Sequence, residues 1–408
     1  MRLIRLFIFP VRLGLVVLLV LAPRAARAEV LLPSRPHIPH LYGFVQPRII
    51  YASRPAATFG HRNLQAPTMA FPLLMGDPAG SGRRATWSVA QTRLGLDWRL
   101  GEPLGTALEA KLEFDFFDAT LSAPSVVSKP RLRIAALRWH LDAHQALLLG
   151  QDFDLFAPMA PFTYNIVGGY FQAGNVAFMR HQLRYEYHQA DLELGLSLGE
   201  AGSSSGTTDT DGVLEHGALP LLAARAIWTP AAGRHRLGVS GLLGARSYLA
   251  GARVTRTMVY AGNLFFEVQP DAMFVLRGEG TYGRNLNDLG ALALSTRTGV
   301  DDVEEASGFI SFKLKPGIVA LFGGAGASFI LHPGRLPGLA VARATTALIG
   351  SVAHNLTGKL GLSVDLGLGL TAFAEYAYFH TKVAEGAGRY HHTDASVPEV
   401  GLHWAFGA

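Results

Sequence analysis

Charged side chains alternate with apolar ones over much of this sequence. Arginine and aspartate alternate with leucine and tryptophan in 93–99, and four charged residues take alternate positions in 109–115. A guanidinium binds carboxylates and phosphates through paired N–H groups, and rows of charged side chains along a passage select and steer ions. The candidate residues for such recognition are Arg48, Arg93, Asp97, Arg99, Glu109, Lys111, Glu113, Asp115, Arg131, Arg133, Arg180, Gln182, Arg184 and Glu186.

Bond-making chemistry has less support in the sequence. Ser240 lies in GVSGLLG, which lacks the full spacing of a nucleophile elbow. Two histidine pairs, at 37 and 40 and at 391 and 392, lie in Pro- or Gly-rich sequence without a carboxylate at fixed spacing. We therefore predict no catalytic residue, no metal site and no cofactor.

The elements that position the charged residues must be β-strands, because a side-chain period of two is a strand signal. Charged residues make up only 16% of the chain, against about 25% in an ordinary soluble domain. Mean hydropathy is +0.22, yet beyond the N-terminus no run reaches the roughly 18–20 apolar residues of a membrane helix. A transmembrane β-barrel combines these features, because its apolar face meets lipid and its polar face lines the lumen.

Residues 1–28 have the composition of a secretory signal peptide. Three arginines precede an apolar run over 13–22. Ala-Arg-Ala at 26–28 then precedes the expected cleavage site. The segment carries five arginines and no acid, so the net charge of +5 belongs to it. The neutral remainder does not favour a nucleic-acid partner. We expect 29–40 to form a short periplasmic lead and 41–408 a single transmembrane barrel.

Long and short connections alternate along the chain. Seven short turns separate eight longer Pro-, Gly- or Ser-rich stretches near 54–86, 118–129, 156–177, 200–217, 248–254, 283–307, 332–341 and 381–395. Short periplasmic turns and long outer loops are typical of outer-membrane barrels. The fifteen connections predict an all-β, antiparallel barrel of about sixteen strands, with 14 to 18 as the range. A soluble β-sandwich or β-helix is less compatible with long loops at one edge only.

The long connection at 156–177 is rich in aromatic residues and nearly free of charge. Such a segment is too apolar for a loop surrounded by water. We predict that it folds inward and narrows the passage, burying Phe162, Tyr164, Tyr170 and Phe171. Packing at a subunit interface is the alternative.

The last residues form an aromatic pattern, with Gly401, Trp404 and Phe406 in GLHWAFGA. This pattern resembles the C-terminal signal that outer-membrane barrels present to the barrel-assembly machinery. The motifs QTRLGLDWR, LEAKLEFDFF, RLRIAALRW, LLLGQDFDLF and RHQLRYEY follow one another in the first half of the chain. Their order and spacing resemble the DcaP-like porins and, more loosely, the phosphate-selective porins.

That resemblance covers roughly residues 41–190. It implies a homotrimer of 16-stranded barrels in the bacterial outer membrane, diffusion of small and often anionic solutes, and arginines at the constriction. By this resemblance the constriction role falls on Arg93, Arg131, Arg133, Arg180 and Arg184.

Two other functions remain open from the residues alone. One is an outer-membrane barrel enzyme of the lipase or protease type, and the other is a non-conducting surface barrel. Passive diffusion of small hydrophilic solutes is the function we expect. The expected partners are outer-membrane lipid, the barrel-assembly machinery and small solutes, with no nucleic acid.

Overall fold

The strand bounds come from a computed structural model of the chain. It describes residues 38–54, 56–58, 67–70, 83–101, 106–116, 130–165, 170–176, 179–200, 220–230, 234–250, 253–286, 292, 303–335, 352–386 and 388–407. The predicted signal peptide and nearly all of the predicted periplasmic lead lie outside the described residues. In the described ranges, no helix has the length and apolar character needed to cross a membrane.

Nearly all regular structure is β-strand. The strands are β1 (His40–Val45), β2 (Arg48–Ala52), β3 (Ala56–Thr58), β4 (Pro67–Ala70), β5 (Arg84–Ser88), β6 (Arg93–Gly101), β7 (Leu108–Asp115), β8 (Arg131–His140), β9 (Gln145–Phe153), β10 (Met179–Gln189), β11 (Leu192–Gly199), β12 (Leu221–Trp228), β13 (His235–Ala250), β14 (Arg253–Val268), β15 (Phe274–Arg284), β16 (Glu304–Leu314), β17 (Val319–Ile330), β18 (Val352–Gly367), β19 (Leu370–Gly386) and β20 (Arg389–Phe406). A short 3-10 turn follows β17.

Eighteen of these segments form one closed antiparallel sheet, and β3 and β4 form a separate hairpin. The barrel closes where the last strand, β20, pairs with both β1 and β2. β1 also pairs with β6, and β2 with β5. β1 and β2 therefore share one position in the wall, and β5 and β6 share the next, so the eighteen segments occupy sixteen positions. The predicted all-β antiparallel barrel of about sixteen strands is confirmed.

The two faces of the wall differ as the alternation predicts. In β11, Leu194, Leu196 and Leu198 are exposed, whereas Ser197 and Gly199 between and after them are buried. Successive side chains of a strand point to opposite faces, so the exposed apolar residues form the outer surface. The polar and charged residues lie on the inner surface, which is the reverse of a soluble sheet that packs its apolar face on a core.

Two predicted long connections are wrong. Residues 248–254 hold the end of β13 and the start of β14, and 381–395 hold the end of β19 and the start of β20. The outward residues of the second hairpin include His380, Lys382 and His392, in place of the leucines found nearer the middle of the wall. The apolar periodicity therefore ends before the strands end. A prediction based on this periodicity makes the strands too short.

The C-terminal strand closes the barrel through Phe406, which lies opposite Gly43 of β1. A Cβ at Gly401 would lie 2.6 Å from the Phe373 ring and 2.7 Å from the Pro47 carbonyl oxygen. Gly401 therefore has a packing reason to be glycine. Trp404 is half-exposed, and its ring centroid lies 5.6 Å from that of Phe406. Recognition of these residues by assembly machinery stays a prediction.

Candidate functional site

The inner faces of β6, β7 and β8 carry a network of arginines and carboxylates. Arg133 contacts Glu113 at 2.8 Å through Nε and Asp115 at 3.0 Å through Nη1. Arg131 donates from Nε to Asp115 at 2.9 Å. The Arg93 Nε lies 3.3 Å from the Glu113 carboxylate. Adjacent strands hold these side chains opposite one another, so five of the predicted residues form one cluster.

A second group of ion pairs continues the network onto β9 and β10. The Arg180 Nε donates to Asp154 at 2.8 Å. The Arg184 Nη1 lies 3.2 Å from Glu186 and 3.7 Å from Asp152. The Gln182 amide donates to the Asp152 and Phe153 carbonyl oxygens and its own oxygen accepts from Arg184. The predicted residues of β10 therefore act as one hydrogen-bonded row.

A β-bulge adds an arginine that the sequence pattern misses. The pairing of β7 with β8 shifts between Glu113 and Phe114, and both Arg133 and Ile134 are buried. An extra residue in one strand reverses which positions face inward beyond it. Arg138 therefore lies on the inner face, where its Nη1 contacts Glu186. Without the bulge, strict alternation from Arg131 would place Arg138 on the outer face.

Two arginines of this network are much more exposed than the carboxylates they pair with, unlike the buried Arg133. The exposed fraction of the side chain is 20% for Arg131 against 2% for Asp115. It is 33% for Arg138 against 5% for Glu186. At these two ion pairs, the accessible surface is therefore more positive than the equal count of charges implies.

Four other predicted residues lie towards the short turn that joins β6 and β7. Lys111 and Asp97 are about half-exposed, with a nitrogen-to-oxygen distance of 3.9 Å. The Glu109 carboxylate accepts from the His140 Nε2 at 3.2 Å and is also about half-exposed. Arg99 lies opposite Glu109 in the ladder between β6 and β7. These charges are therefore more open to water than the central network.

The position of Arg48 differs from the predicted one, which was on the lining of the passage. Its side chain is fully buried, and its Nη1 donates to Glu399 at 3.1 Å. Asn165, from the aromatic-rich segment, also reaches Glu399, with a donor-to-acceptor distance of 3.4 Å. In this arrangement no solute can reach the Arg48 guanidinium, because the segment and neighbouring side chains cover it.

The segment 154–165 contacts one wall strand after another. The Met159 amide donates to Glu279 of β15 at 3.2 Å, and the Phe162 amide donates to Ser311 of β16 at 3.0 Å. The Arg277 guanidinium carbon lies 3.8 Å from the centroid of the Phe162 ring. The segment therefore follows the polar face of the strands that lie across the barrel from its own starting point on β9.

Glu375 of β19 holds the end of this segment. Its carboxylate accepts from the Thr163 hydroxyl at 2.6 Å and from the Tyr164 and Asn165 amides at 3.0 Å each. The Tyr164 ring stacks on Phe373, with centroids 4.4 Å apart. Tyr164 and Phe162 thus both contact the wall, and their side chains are partly buried rather than fully buried as predicted.

Residues 170–176 pack directly on the backbone of β16 and β17. A Cβ at Gly174, where φ is +109°, would lie 2.1 Å from the Gly308 carbonyl oxygen, and one at Gly326 would lie 2.0 Å from the Ala173 oxygen. Tyr170 and Phe171 are buried. Burial raises the pKa of the Tyr170 hydroxyl, and the nearby Glu375 charge acts in the same direction. This hydroxyl is therefore neutral at physiological pH.

Sequence reasoning missed that Glu279, Glu375 and Glu399 hold the segment. Glu375 and Glu399 each sit alone among apolar or small inward residues; in β19, Glu375 follows Phe373 and precedes Ala377 on the same face. A single acid on an otherwise apolar inner face is a signal that could have identified them. The rows of several charges drew attention to the opposite wall instead.

No protein-family profile matches the chain, and no curated protein is significantly similar to it. Solved structures do match it over nearly its whole length. The outer membrane channel DcaP of Acinetobacter baumannii aligns with a TM-score of 0.67 and 18% identity, covering 92% of this chain and 99% of that one. The chain has the fold of the outer-membrane porins.

Two further structures share this porin fold. The anion-selective porin from Comamonas acidovorans aligns with a TM-score of 0.55 and 12% identity, covering 90% of this chain and 99% of its own. Pseudomonas putida OprB aligns with a TM-score of 0.56 and 11% identity, covering 90% and 94%. The likeness to DcaP agrees with the resemblance read from residues 41–190 and extends it to the C-terminal half of the barrel.

Proposed function

We propose that this chain is an outer-membrane porin through which small hydrophilic solutes, preferentially anions, diffuse passively. The closed barrel satisfies its backbone hydrogen bonds within the wall, as a lipid environment demands. Its exposed outer leucines suit the hydrocarbon of a bilayer, and its charged inner face suits water. The porin fold supports the same location.

The proposed passage is narrowed by the segment 154–176 on one side and bordered by the arginine network on the other. The segment's hydrogen bonds to Glu279, Ser311 and Glu375 lie on three strands of the polar face. A segment bound to these inward side chains occupies space inside the barrel. Solutes then pass between it and the wall formed by β6 to β10.

The anion preference is carried by one observation, which is the unequal exposure of paired charges. Arg131 and Arg138 are several times more exposed than the carboxylates that they contact. An ion in the passage therefore approaches a guanidinium more closely than its paired carboxylate, and Coulomb energy falls with distance. Guanidinium groups also present paired donors to carboxylate and phosphate oxygens.

Zero-current potentials across a salt gradient test this proposal. The chain in a planar bilayer between unequal KCl solutions should show a potential of the sign expected for chloride preference. Arg138→Gln should shift that potential towards the cation-selective side, because it removes the exposed charge and uncovers Glu186. Arg180→Gln is the matched control: it makes the same change at a side chain that is 4% exposed, and its effect should be smaller.

Two results would count against the anion preference. One is a potential of cation-selective sign for the unmodified chain. The other is an equal effect of Arg138→Gln and Arg180→Gln, because accessibility would then not decide selectivity. Neither result tests passive diffusion itself, which is measured by the conductance of the channel.

We further expect a homotrimer that contacts outer-membrane lipid and is inserted by the barrel-assembly machinery. The enzyme alternative gains no support from its one candidate nucleophile. The Ser240 hydroxyl donates to the Phe156 carbonyl oxygen, and the Asn263 amide lies 3.4 Å from it. In this position Ser240 holds the backbone of the inward segment.

A further inference from the structure

Three histidines from adjacent strands converge near one end of the barrel. They are His354 of β18, His380 of β19 and His392 of β20, and their ligand nitrogens all lie within 4.8 Å of one another. They are separated in sequence, so no local spacing reveals them. The barrel ladder brings them together, because Lys382 lies opposite both His354 and His392 while His380 lies opposite Asp394.

The hydrogen bonds of the cluster leave three ring nitrogens close together. The Nδ1 of His380 lies 2.7 Å from Asp394, which fixes the proton on that nitrogen. The opposite nitrogen, Nε2, lies 3.3 Å from Nδ1 of His392. The Nε2 of His354 is buried and has no hydrogen-bond partner among the described residues.

These distances approach those of a metal site. Zinc–nitrogen bonds of about 2.0–2.1 Å at tetrahedral angles place two ligand nitrogens about 3.3 Å apart, which is the separation of His380 and His392. Small rotations of the rings would bring His354 to the same point. A carboxylate on the second nitrogen of a ligating histidine is the usual outer partner of such sites, and Asp394 has this position on His380.

The cluster lies on the outer face of the wall, towards the end with the longer connections. The inward neighbours Asn355, Thr381 and Thr393 are buried on the opposite face. In β19, His380 is the next outward residue after Tyr378, whose hydroxyl donates to Asp394. Aromatic residues mark the membrane–water boundary in such barrels, so the histidines lie beside water rather than in the middle of the membrane.

The charged groups that face the cluster are Asp394, Lys382 and Arg54. The Lys382 ammonium lies 4.0 Å from the centroid of the Tyr390 ring, so its side chain is occupied by that aromatic contact. The positive charge of Arg54 interacts electrostatically with Asp394 and Tyr378. Asp394 offsets part of this positive charge next to His380.

We propose that His354, His380 and His392 bind one divalent transition-metal ion, such as Zn²⁺, on the outer face of the barrel. Imidazole nitrogens suit zinc, copper and nickel. The bound ion joins β18, β19 and β20 next to the seam where the barrel closes, and it stabilises this end against unfolding. The fourth position of a tetrahedral ion is open to the outside.

Calorimetric titration with zinc chloride tests the site. The folded chain, purified without a histidine tag and treated with a chelator that is then removed, should bind one Zn²⁺ per chain. His354→Gln and His380→Gln should lose this binding. Asp394→Asn should weaken it about 10- to 100-fold, as for other outer partners of metal ligands. His391→Gln is the matched control, because His391 lies opposite the buried Val383 and so points to the other face.

A second readout needs no variant. Copper(II) bound to the unmodified chain should give an electron paramagnetic resonance spectrum with imidazole nitrogen couplings, and zinc should compete for the site. Zinc should also raise the temperature at which the folded band converts to the unfolded band in gel electrophoresis. Absence of saturable zinc binding, copper bound through oxygen alone, or equal losses in His391→Gln and His380→Gln each overturn the proposal.

Discussion

Removing the Glu375 carboxylate should release the inward segment. Three groups of the segment donate to this carboxylate, the Thr163 hydroxyl and the amides of Tyr164 and Asn165. The net contribution of an ordinary intramolecular hydrogen bond is about 1 kcal/mol. Three such bonds give about 3 kcal/mol, which changes the ratio of attached to detached segment about 10²-fold.

Single-channel conductance of Glu375→Ala in planar bilayers measures this release. At about 1 M KCl the Debye length is about 3 Å, so conductance reports mainly on width and little on charge. We expect larger and noisier current steps than those of the unmodified chain. Glu109→Ala is the matched control, because it removes an inward glutamate that contacts His140 and lies far along the chain from the segment's anchors. Steps of unchanged size in Glu375→Ala, equal to those of Glu109→Ala, would show that Glu375 does not hold the segment in the passage.

Three other outcomes follow from the same contacts. Gly326→Ala should lower the unfolding temperature, since its Cβ would lie 2.0 Å from the Ala173 oxygen and such overpacking costs about 1–3 kcal/mol; Gly262→Ala, where a Cβ meets nothing within 4 Å, should lower it less. Leu196→Arg should destabilise the barrel in lipid vesicles by about 2–4 kcal/mol, measured by urea unfolding against Leu196→Ala, and an equal effect of the two would contradict a lipid-facing wall. Anion preference should weaken as KCl rises from about 0.1 M to 1 M, because the Debye length shortens from about 10 Å to 3 Å; a salt-independent zero-current potential would argue against selection by accessible charges.

The fold was predictable because its rule is local. Alternation of apolar and polar residues in a strand such as β11 needs only neighbouring positions, and the long and short connections give the strand count. The alternation rule fails where the outward residues do not contact lipid. Beyond the membrane the outward residues need not be apolar, so local periodicity predicts a loop over 381–395, where Lys382 and His392 lie in β19 and β20.

The site was predictable in part for a related reason. The charges of β6, β7 and β10 follow strict alternation, and those away from the short turn between β6 and β7 meet in one network. Arg138 was missed because a single bulge at Arg133 reverses the facing of the rest of β8. Glu375 was missed because its partners are 210 and more residues away in sequence. Its role depends on where a distant segment packs, which local periodicity does not encode.

The most direct test of the central claim is the current through the purified, folded chain in a planar bilayer. A barrel with a charged, water-filled passage predicts stepwise, persistent increases in conductance as single channels or trimers insert. The same preparation should show heat-modifiable migration in gel electrophoresis, which certifies that the barrel is folded. Folded protein that inserts and opens no channels would contradict the account.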